Sequence, residues 1–259
     1  MRPFTPDLRM GNMLTEAQIS DFHRDGYLLV KGLYDKAAMQ SVNAWTDEVS
    51  NLPEVPGKYM MYFEQSQLEE NKRILCRMED FEPYHQGFSQ MFNDEKMRGC
   101  VSELFGEQAV LFKDKINFKL PGGDGFKAHQ DVQAGWDTYA GIHITALVTI
   151  DPCTVENGCL EVAPGFHNKG LIGDKWKPLP EDELEYLCLP TSPGDVVFFD
   201  SFIPHRSKPN HTDSPRRVLY VTYNKLSDGD HRRQYYIDKR KSYPPDCERE
   251  PEKDYVFRV

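Results

Sequence analysis

Apolar residues recur at helical spacing over the first hundred positions and at strand spacing beyond them. Ile19, Phe22 and His23 share one face of a helix that Thr15 would cap, with Glu16 and Gln18 in its first turn and Gly26 closing it. Tyr27 to Val30 reads as a short strand. Asp35 opens a second helix whose Met39, Val42, Trp45 and Val49 fall on one face, and the prolines between Leu52 and Gly57 break it. Lys58-Tyr59-Met60-Met61-Tyr62-Phe63 is either a strand packed on a sheet or a pocket wall whose aromatic faces attract ammonium groups. Residues 85–105 are helical around Phe88, Met91, Phe92, Met97, Val101 and Leu104, with Gly106 as the stop.

From Leu111 the grammar is that of strands. Leu111 to Leu120 runs into the turn cluster Pro121 to Gly125, which no helix follows, so it is not a nucleotide loop. In Ile142 to Ile150, period two puts His143, Thr145, Leu147 and Thr149 on one face and the isoleucines on the other. Asn157-Gly158 and Pro164-Gly165 are tight turns, and Lys169 to Pro190 is a polar excursion carrying Trp176. Gly194-Asp195 turns into Val196 to Asp200, and Val218 to Tyr223 is the last strand. Many short strands joined by turns predict a sandwich or jelly roll with the early helices backing one sheet. The expected organisation is one domain over 1–259: a loose arm over Met1 to Asn12, a core of about 14–226, and a charged tail from 227 to 259. Within that tail Tyr235-Tyr236-Ile237 can still pack on the core.

Charge narrows the partners. Lys+Arg is 31 and Asp+Glu is 41, a net −10, which argues against nucleic acid and against docking on anionic lipid but leaves room for a local basic pocket. The six cysteines form no CxxC pair and no zinc spacing, and the chain shows no secretory leader, so free thiols in a reducing cytosol are expected. No run approaches the roughly 18 apolar residues of a membrane span. A cytoplasmic protein with a small-molecule partner follows; the oligomeric state stays open.

His129-Gln130-Asp131 sets an imidazole and a carboxylate two positions apart, on one face if the segment is a strand. His205 arrives just after Val196-Val197-Phe198-Phe199. Two imidazoles and a carboxylate on one side of a metal form the facial triad of non-haem Fe(II) oxygenases. Arg216 starts another strand, where a guanidinium can hold a dicarboxylate bidentately. Taken singly, each of these residues could equally be an ordinary surface or core residue. Arg217 points to the other face and is expected to be solvated, His167 belongs to a turn, and His211 is exposed.

Leu14-Thr15 through Gly26-Tyr27-Leu28-Leu29-Val30-Lys31-Gly32, Ile116-Asn117-Phe118-Lys119, Asn157 to His167 and Gly194-Asp195-Val196-Val197-Phe198-Phe199 accompany the triad in order. With them the chain resembles the phytanoyl-CoA dioxygenase family of Fe(II)/2-oxoglutarate oxygenases, which includes the ectoine hydroxylases. The resemblance implies a double-stranded β-helix, mainly β with flanking helices. It implies iron on His129, Asp131 and His205, 2-oxoglutarate and O2 as cosubstrates, and succinate and carbon dioxide as co-products. It places Arg216 on the distal carboxylate, with Ser207, Asn117 and Thr145 beside it, although Thr145 is equally a satisfied buried hydroxyl. A carboxylate at Asp131 implies hydroxylation rather than halogenation.

For the substrate, Lys113 falls where ectoine hydroxylases place a contact and Trp136 near their pocket tryptophan, but residues 132–139 depart from their pattern. Lys113, Lys115, Lys127, Tyr59, Tyr62 and Trp136 together suit a small molecule with an anionic group, with or without an ammonium, as in family members acting on aminoalkylphosphonates. An acyl-CoA or apolar natural product is the alternative substrate. A cupin-like metal-binding protein without activity is the alternative of another class, against which Arg216 with Ser207 speaks. A zinc hydrolase on the same ligands would lack an evident general base.

Overall fold

The computed structural model describes residues 13–66, 68–180 and 183–255, so the arm expected over 1–12 lies outside the described residues. The Thr15 hydroxyl accepts from the Gln18 amide and the Gln18 side chain accepts from the Thr15 amide, closing a capping box on α1 (Glu16–Asp25). Gly26 ends that helix at φ +80, and a Cβ there would lie 2.5 Å from the His167 ring, so both backbone and space require glycine. After β1 (Tyr27–Val30), Asp35 caps α2 (Lys36–Ser50), accepting from the Ala38 amide at 2.8 Å. Two strands follow, β2 (Met60–Gln65) and β3 (Arg73–Glu79), the second not anticipated from the sequence. The helical stretch 85–105 is two helices, α3 (Gln86–Asn93) and α4 (Glu95–Phe105). Asp94 between them is extended and caps α4 through the Met97 amide.

The remaining strands are β4 (Ala109–Lys119), β5 (Phe126–His129), β6 (His143–Thr149), β7 (Leu160–Val162), β8 (Leu187–Leu189), β9 (Val196–Asp200), β10 (His205–Ser207) and β11 (Arg216–Lys225). Helix α5 (Arg232–Ser242) closes the order. They form a seven-stranded sheet, β1-β9-β6-β11-β4-β3-β2, and a four-stranded sheet, β5-β10-β7-β8. Every pairing is antiparallel, and the two sheets make the jelly roll.

Period two sorts the core into layers. Ile144, Ala146 and Val148 of β6 join Phe198 and Val221 under the helices, against Phe22, Val42, Phe88 and Met97. Leu147 faces the other way, into a cluster with Val162, Phe199, Ile203 and Val218 between the sheets. A fully buried phenylalanine such as Phe88 contributes enough that truncation to alanine costs about 3–5 kcal/mol.

The charged C-terminal stretch folds where its composition suggested little. Tyr235 and Tyr236 are buried while Ile237 stays exposed. The Tyr236 hydroxyl donates to the Asp114 carbonyl at 3.0 Å, and Arg232 pairs with the buried Asp114 carboxylate at 2.6 Å. These contacts clamp α5 onto β4. All six cysteines are free, and no described helix is long and apolar enough to cross a membrane.

Candidate active site

β5 ends at His129 and β10 begins at His205, and the two residues face each other across the antiparallel pair with ring centroids 4.3 Å apart. Asp131 is not on the strand as expected; it starts a short 3-10 turn, Asp131–Ala134. Gln130, fully buried, makes that turn: its amide nitrogen donates to the Phe202 and Gly170 carbonyls at 2.6 and 2.8 Å, and its oxygen accepts from the Ile172 amide at 2.9 Å. The turn delivers Asp131 Oδ1 to 3.9 Å from both imidazole Nε2 atoms. The three ligand atoms lie within 4.8 Å of one another.

The donor set fits Fe(II). The Nδ1 atoms of His129 and His205 face the carbonyls of Lys127 and Ile203 at 2.7 and 3.0 Å. A carbonyl only accepts, so each Nδ1 carries the proton and each Nε2 offers its lone pair, a tautomer that favours a metal. Burial, reinforced by the His205 ring, pushes His129 down to about 3, and burial lowers His205 as well, so both stay neutral donors near neutral pH. Burial alone would raise Asp131, but the two imidazoles and nearby lysines outweigh it and hold the carboxylate ionised. Two neutral nitrogens and one carboxylate on one side leave the other positions open.

Below the triad, β4 and β11 carry a row of polar side chains. Register pairs Arg216 with Lys119, Val218 with Asn117, Tyr220 with Lys115 and Thr222 with Lys113. Arg216 is wholly buried, and none of its three guanidinium nitrogens has a hydrogen-bond partner; Cys153 and Tyr220 lie beside it without hydrogen-bonding geometry. Asn117 Oδ1 is also buried and unpartnered. Lys119 donates to the Ser207 hydroxyl at 2.8 Å and to the Lys208 carbonyl. Burial, with Arg216 adjacent, pushes Lys119 down to about 7. A buried cation without a counter-charge is costly, so this end suits the distal carboxylate of a dicarboxylic acid such as 2-oxoglutarate. Thr145 offers no such unpartnered group: its hydroxyl pairs with that of Thr222 at 2.9 Å.

At the opposite end a single buried carboxylate gathers three cations. Glu79 lies 3.0 Å from Arg77, 2.8 Å from Lys239 of α5 and 3.4 Å from Lys113. Burial would raise Glu79, but these cations more than offset it and hold it well below the carboxylate range. Burial likewise opposes the charge on Lys113, yet Glu79 keeps its pKa above the ordinary value. Trp136 and Tyr235 flank the Lys113 ammonium at 5.4 and 5.5 Å. Lys115, between the two ends, has no acceptor or carboxylate within bonding distance among the described residues. It lies over the Tyr220 ring at 4.3 Å, and burial pushes it down to about 7.

A cavity of about 470 Å³ joins Arg77, Lys113, Lys115 and Asn117 to the triad, with Tyr139, Trp176, Asp238 and Tyr243 also on its wall. Trp176, at φ +66, donates its amide to the Gln133 carbonyl and lays its ring over Gly135, where a Cβ would come within 2.7 Å. Trp136 lines this cavity as expected. Tyr62 and Lys127 instead border a neighbouring cavity of about 420 Å³, Tyr62 stacked on Tyr243 and Lys127 exposed, its carbonyl serving His129. Tyr59 does not reach either: its hydroxyl donates to the Pro53 carbonyl and its ring packs on Tyr84 in the helical layer. Tyr59 and Tyr62 are an odd number of positions apart, so a strand sends them to opposite faces. Arg217, expected in solvent, is partly buried and grips Asp151 with two nitrogens at 2.7 and 2.9 Å and Asp47 at 2.7 Å. His167 sits in a 3-10 turn and His211 is exposed, as expected.

The sequence profile of the Phytanoyl-CoA dioxygenase (PhyH) family matches residues 22–218. A 2-aminoethylphosphonate dioxygenase from an uncultured bacterium, HF130_AEPn_1, is 43% identical over 246 residues, 93% of each chain. A methylphosphonate hydroxylase from Gimesia maris is 39% identical over 238 residues, 90% of each. Among solved structures, EctD from S. alaskensis with 2-oxoglutarate and 5-hydroxyectoine superposes with a TM-score of 0.73 at 19% identity, covering 87% of this chain and 79% of that one, a likeness of fold.

Proposed function

The chain belongs to the phytanoyl-CoA dioxygenase family and is an Fe(II)/2-oxoglutarate-dependent dioxygenase, and we propose that it hydroxylates an aliphatic carbon of a small phosphonate such as 2-aminoethylphosphonate. The observation that carries the substrate class is Lys115: an ammonium on the cavity wall with Lys113 beside it and no carboxylate of its own. A cation so placed in a chain of net charge −10 is balanced by an anionic ligand.

In this reading His129, Asp131 and His205 hold the iron, and Arg216, Asn117 and Ser207 hold 2-oxoglutarate. Bound together with O2 they supply an oxidant for an unactivated C–H bond, with succinate and carbon dioxide as co-products. The protein contributes position. Lys115 and Lys113 fix the anionic group on the β4 face, so the carbon next to it lies toward the triad, while Trp136 and Tyr235 exclude water. Asp131, as a carboxylate ligand, supports hydroxylation.

The test is succinate release with Fe(II) and 2-oxoglutarate across 2-aminoethylphosphonate, methylphosphonate, amino acids and acyl-CoA thioesters. Phosphonates are expected to stimulate turnover, and Lys113→Ala to raise their KM. Stimulation by long acyl chains or apolar compounds alone would overturn the substrate class and leave the enzyme class standing. His129→Ala and His205→Ala each remove one of three ligands, and both are expected to weaken iron binding sharply.

A further inference from the structure

The family match ends at residue 218, yet one wall of the cavity comes from α5, which begins at Arg232. From this helix Tyr235 and Lys239 reach the same Glu79 cluster that β3 and β4 build from the other side. The placement is fixed, because Tyr236 and Arg232 on the same helix are tied to the buried Asp114.

The cluster brings three basic side chains to one buried carboxylate. One cation is enough to neutralise Glu79, and each further buried cation costs free energy unless something else balances it. Arg77, Lys113 and Lys239 share Glu79, and burial together with Lys113 and Arg77 pushes Lys239 well below its ordinary pKa, so Glu79 does not fully balance its ammonium. Lys239 donates one hydrogen bond to Glu79 Oε1 at 3.0 Å and lies 2.8 Å from Oε2 as an ion pair without hydrogen-bonding geometry, which leaves it donor capacity for a ligand. A fully ionised phosphonate, like a phosphate monoester, carries close to two negative charges and three acceptor oxygens near neutral pH. A carboxylate carries one charge and two oxygens.

We propose that Lys239 is a specificity-determining residue: from α5 it completes, with Lys113 and Arg77 around Glu79, a seat for a doubly charged tetrahedral anion in preference to a carboxylate. The proposal rests on the phosphonate reading above and names the residue that enforces it. α5 lies beyond residue 218, where the family profile match ends.

The experiment is calorimetric titration of the iron- and 2-oxoglutarate-loaded enzyme without oxygen, using 2-aminoethylphosphonate, inorganic phosphate and 3-aminopropanoate, the carboxylate counterpart. Wild type is expected to favour the two tetrahedral anions. Lys239→Met should weaken both about 10- to 100-fold, the loss of one charge-assisted hydrogen bond, and weaken 3-aminopropanoate far less. Lys239→Arg should recover part of the preference. Lys241→Met, which removes the same charge from an exposed position on α5, should change nothing. Unaltered phosphonate preference in Lys239→Met, or a wild type that binds the carboxylate as tightly, overturns the proposal. Tetrahedral anions that bind through Lys239 without any phosphonate being turned over would leave the seat standing and sink the substrate assignment instead. Phosphonate turnover with no dependence on Lys239 would do the reverse.

Discussion

The two ends of the β4–β11 row hold buried cations in opposite ways. At one end Arg216 is wholly enclosed with every guanidinium nitrogen unpartnered, and its neighbour Lys119 finds only neutral oxygens. At the other, Arg77, Lys113 and Lys239 share the carboxylate of Glu79. The first end presents buried nitrogens that have no hydrogen-bond partner. The second is internally neutralised in part, so it can fold first and still attract an anion. In the proposed function, 2-oxoglutarate takes the Arg216 end and the substrate the Glu79 end.

The largest effect should come from removing the shared counter-ion. Glu79→Gln strands three buried cations and is expected to destabilise the ligand-free protein by about 3–5 kcal/mol in denaturant titration, the cost of breaking a buried ion pair. Arg216→Met removes a cation that has no partner, so its unfolding midpoint without ligand should be unchanged or higher. A comparable loss of stability in both variants would erase the distinction between the ends.

A smaller effect concerns pH. Below about 7 Lys119 is protonated in the ligand-free protein and adds to the attraction for a carboxylate; above it the amine is neutral. Affinity for 2-oxoglutarate should therefore fall as pH rises through about 7, by at most about tenfold per unit for one proton. Lys119→Met should flatten that slope. Isothermal titration at several pH values checks both, and an equal slope in the variant would remove Lys119 from the cosubstrate end.

The smallest effect is at Arg217, the next residue on β11. Its fork on Asp151 faces away from the cavity, so Arg217→Lys should lower stability by about 1 kcal/mol or less and leave both KM values unchanged. A shift in the 2-oxoglutarate KM would mean that the strand register misassigns the two arginines.

The two ends also differ in how far the sequence reveals them. The grouping of His129, Asp131 and His205 is legible because their chemistry depends on residue type at short spacing and on strands whose alternation is plain. Even there Asp131 reaches the site through a turn built by Gln130, an arrangement set by contacts with Phe202, Gly170 and Ile172 rather than by alternation. The Glu79 end is assembled from β3, β4 and α5, far apart in the chain. Arg77 and Glu79 are charged residues facing inward on a strand, against the usual rule. Lys239 sits in Lys239-Arg240-Lys241, which reads as a solvated helix end, and only the fold shows which lysine turns inward. The Tyr59 and Tyr62 pairing was decidable: their odd spacing on a strand already sends them to opposite faces.

The most direct test of the division is a crossed kinetic measurement on two variants. KM for 2-oxoglutarate and for 2-aminoethylphosphonate would be determined in Arg216→Lys and in Lys113→Met. Arg216→Lys replaces a bidentate fork by a point charge and should raise the 2-oxoglutarate KM about tenfold or more, with the phosphonate KM little changed. Lys113→Met should do the opposite. If each variant raises both constants together, the cavity does not hold its two ligands at separate ends.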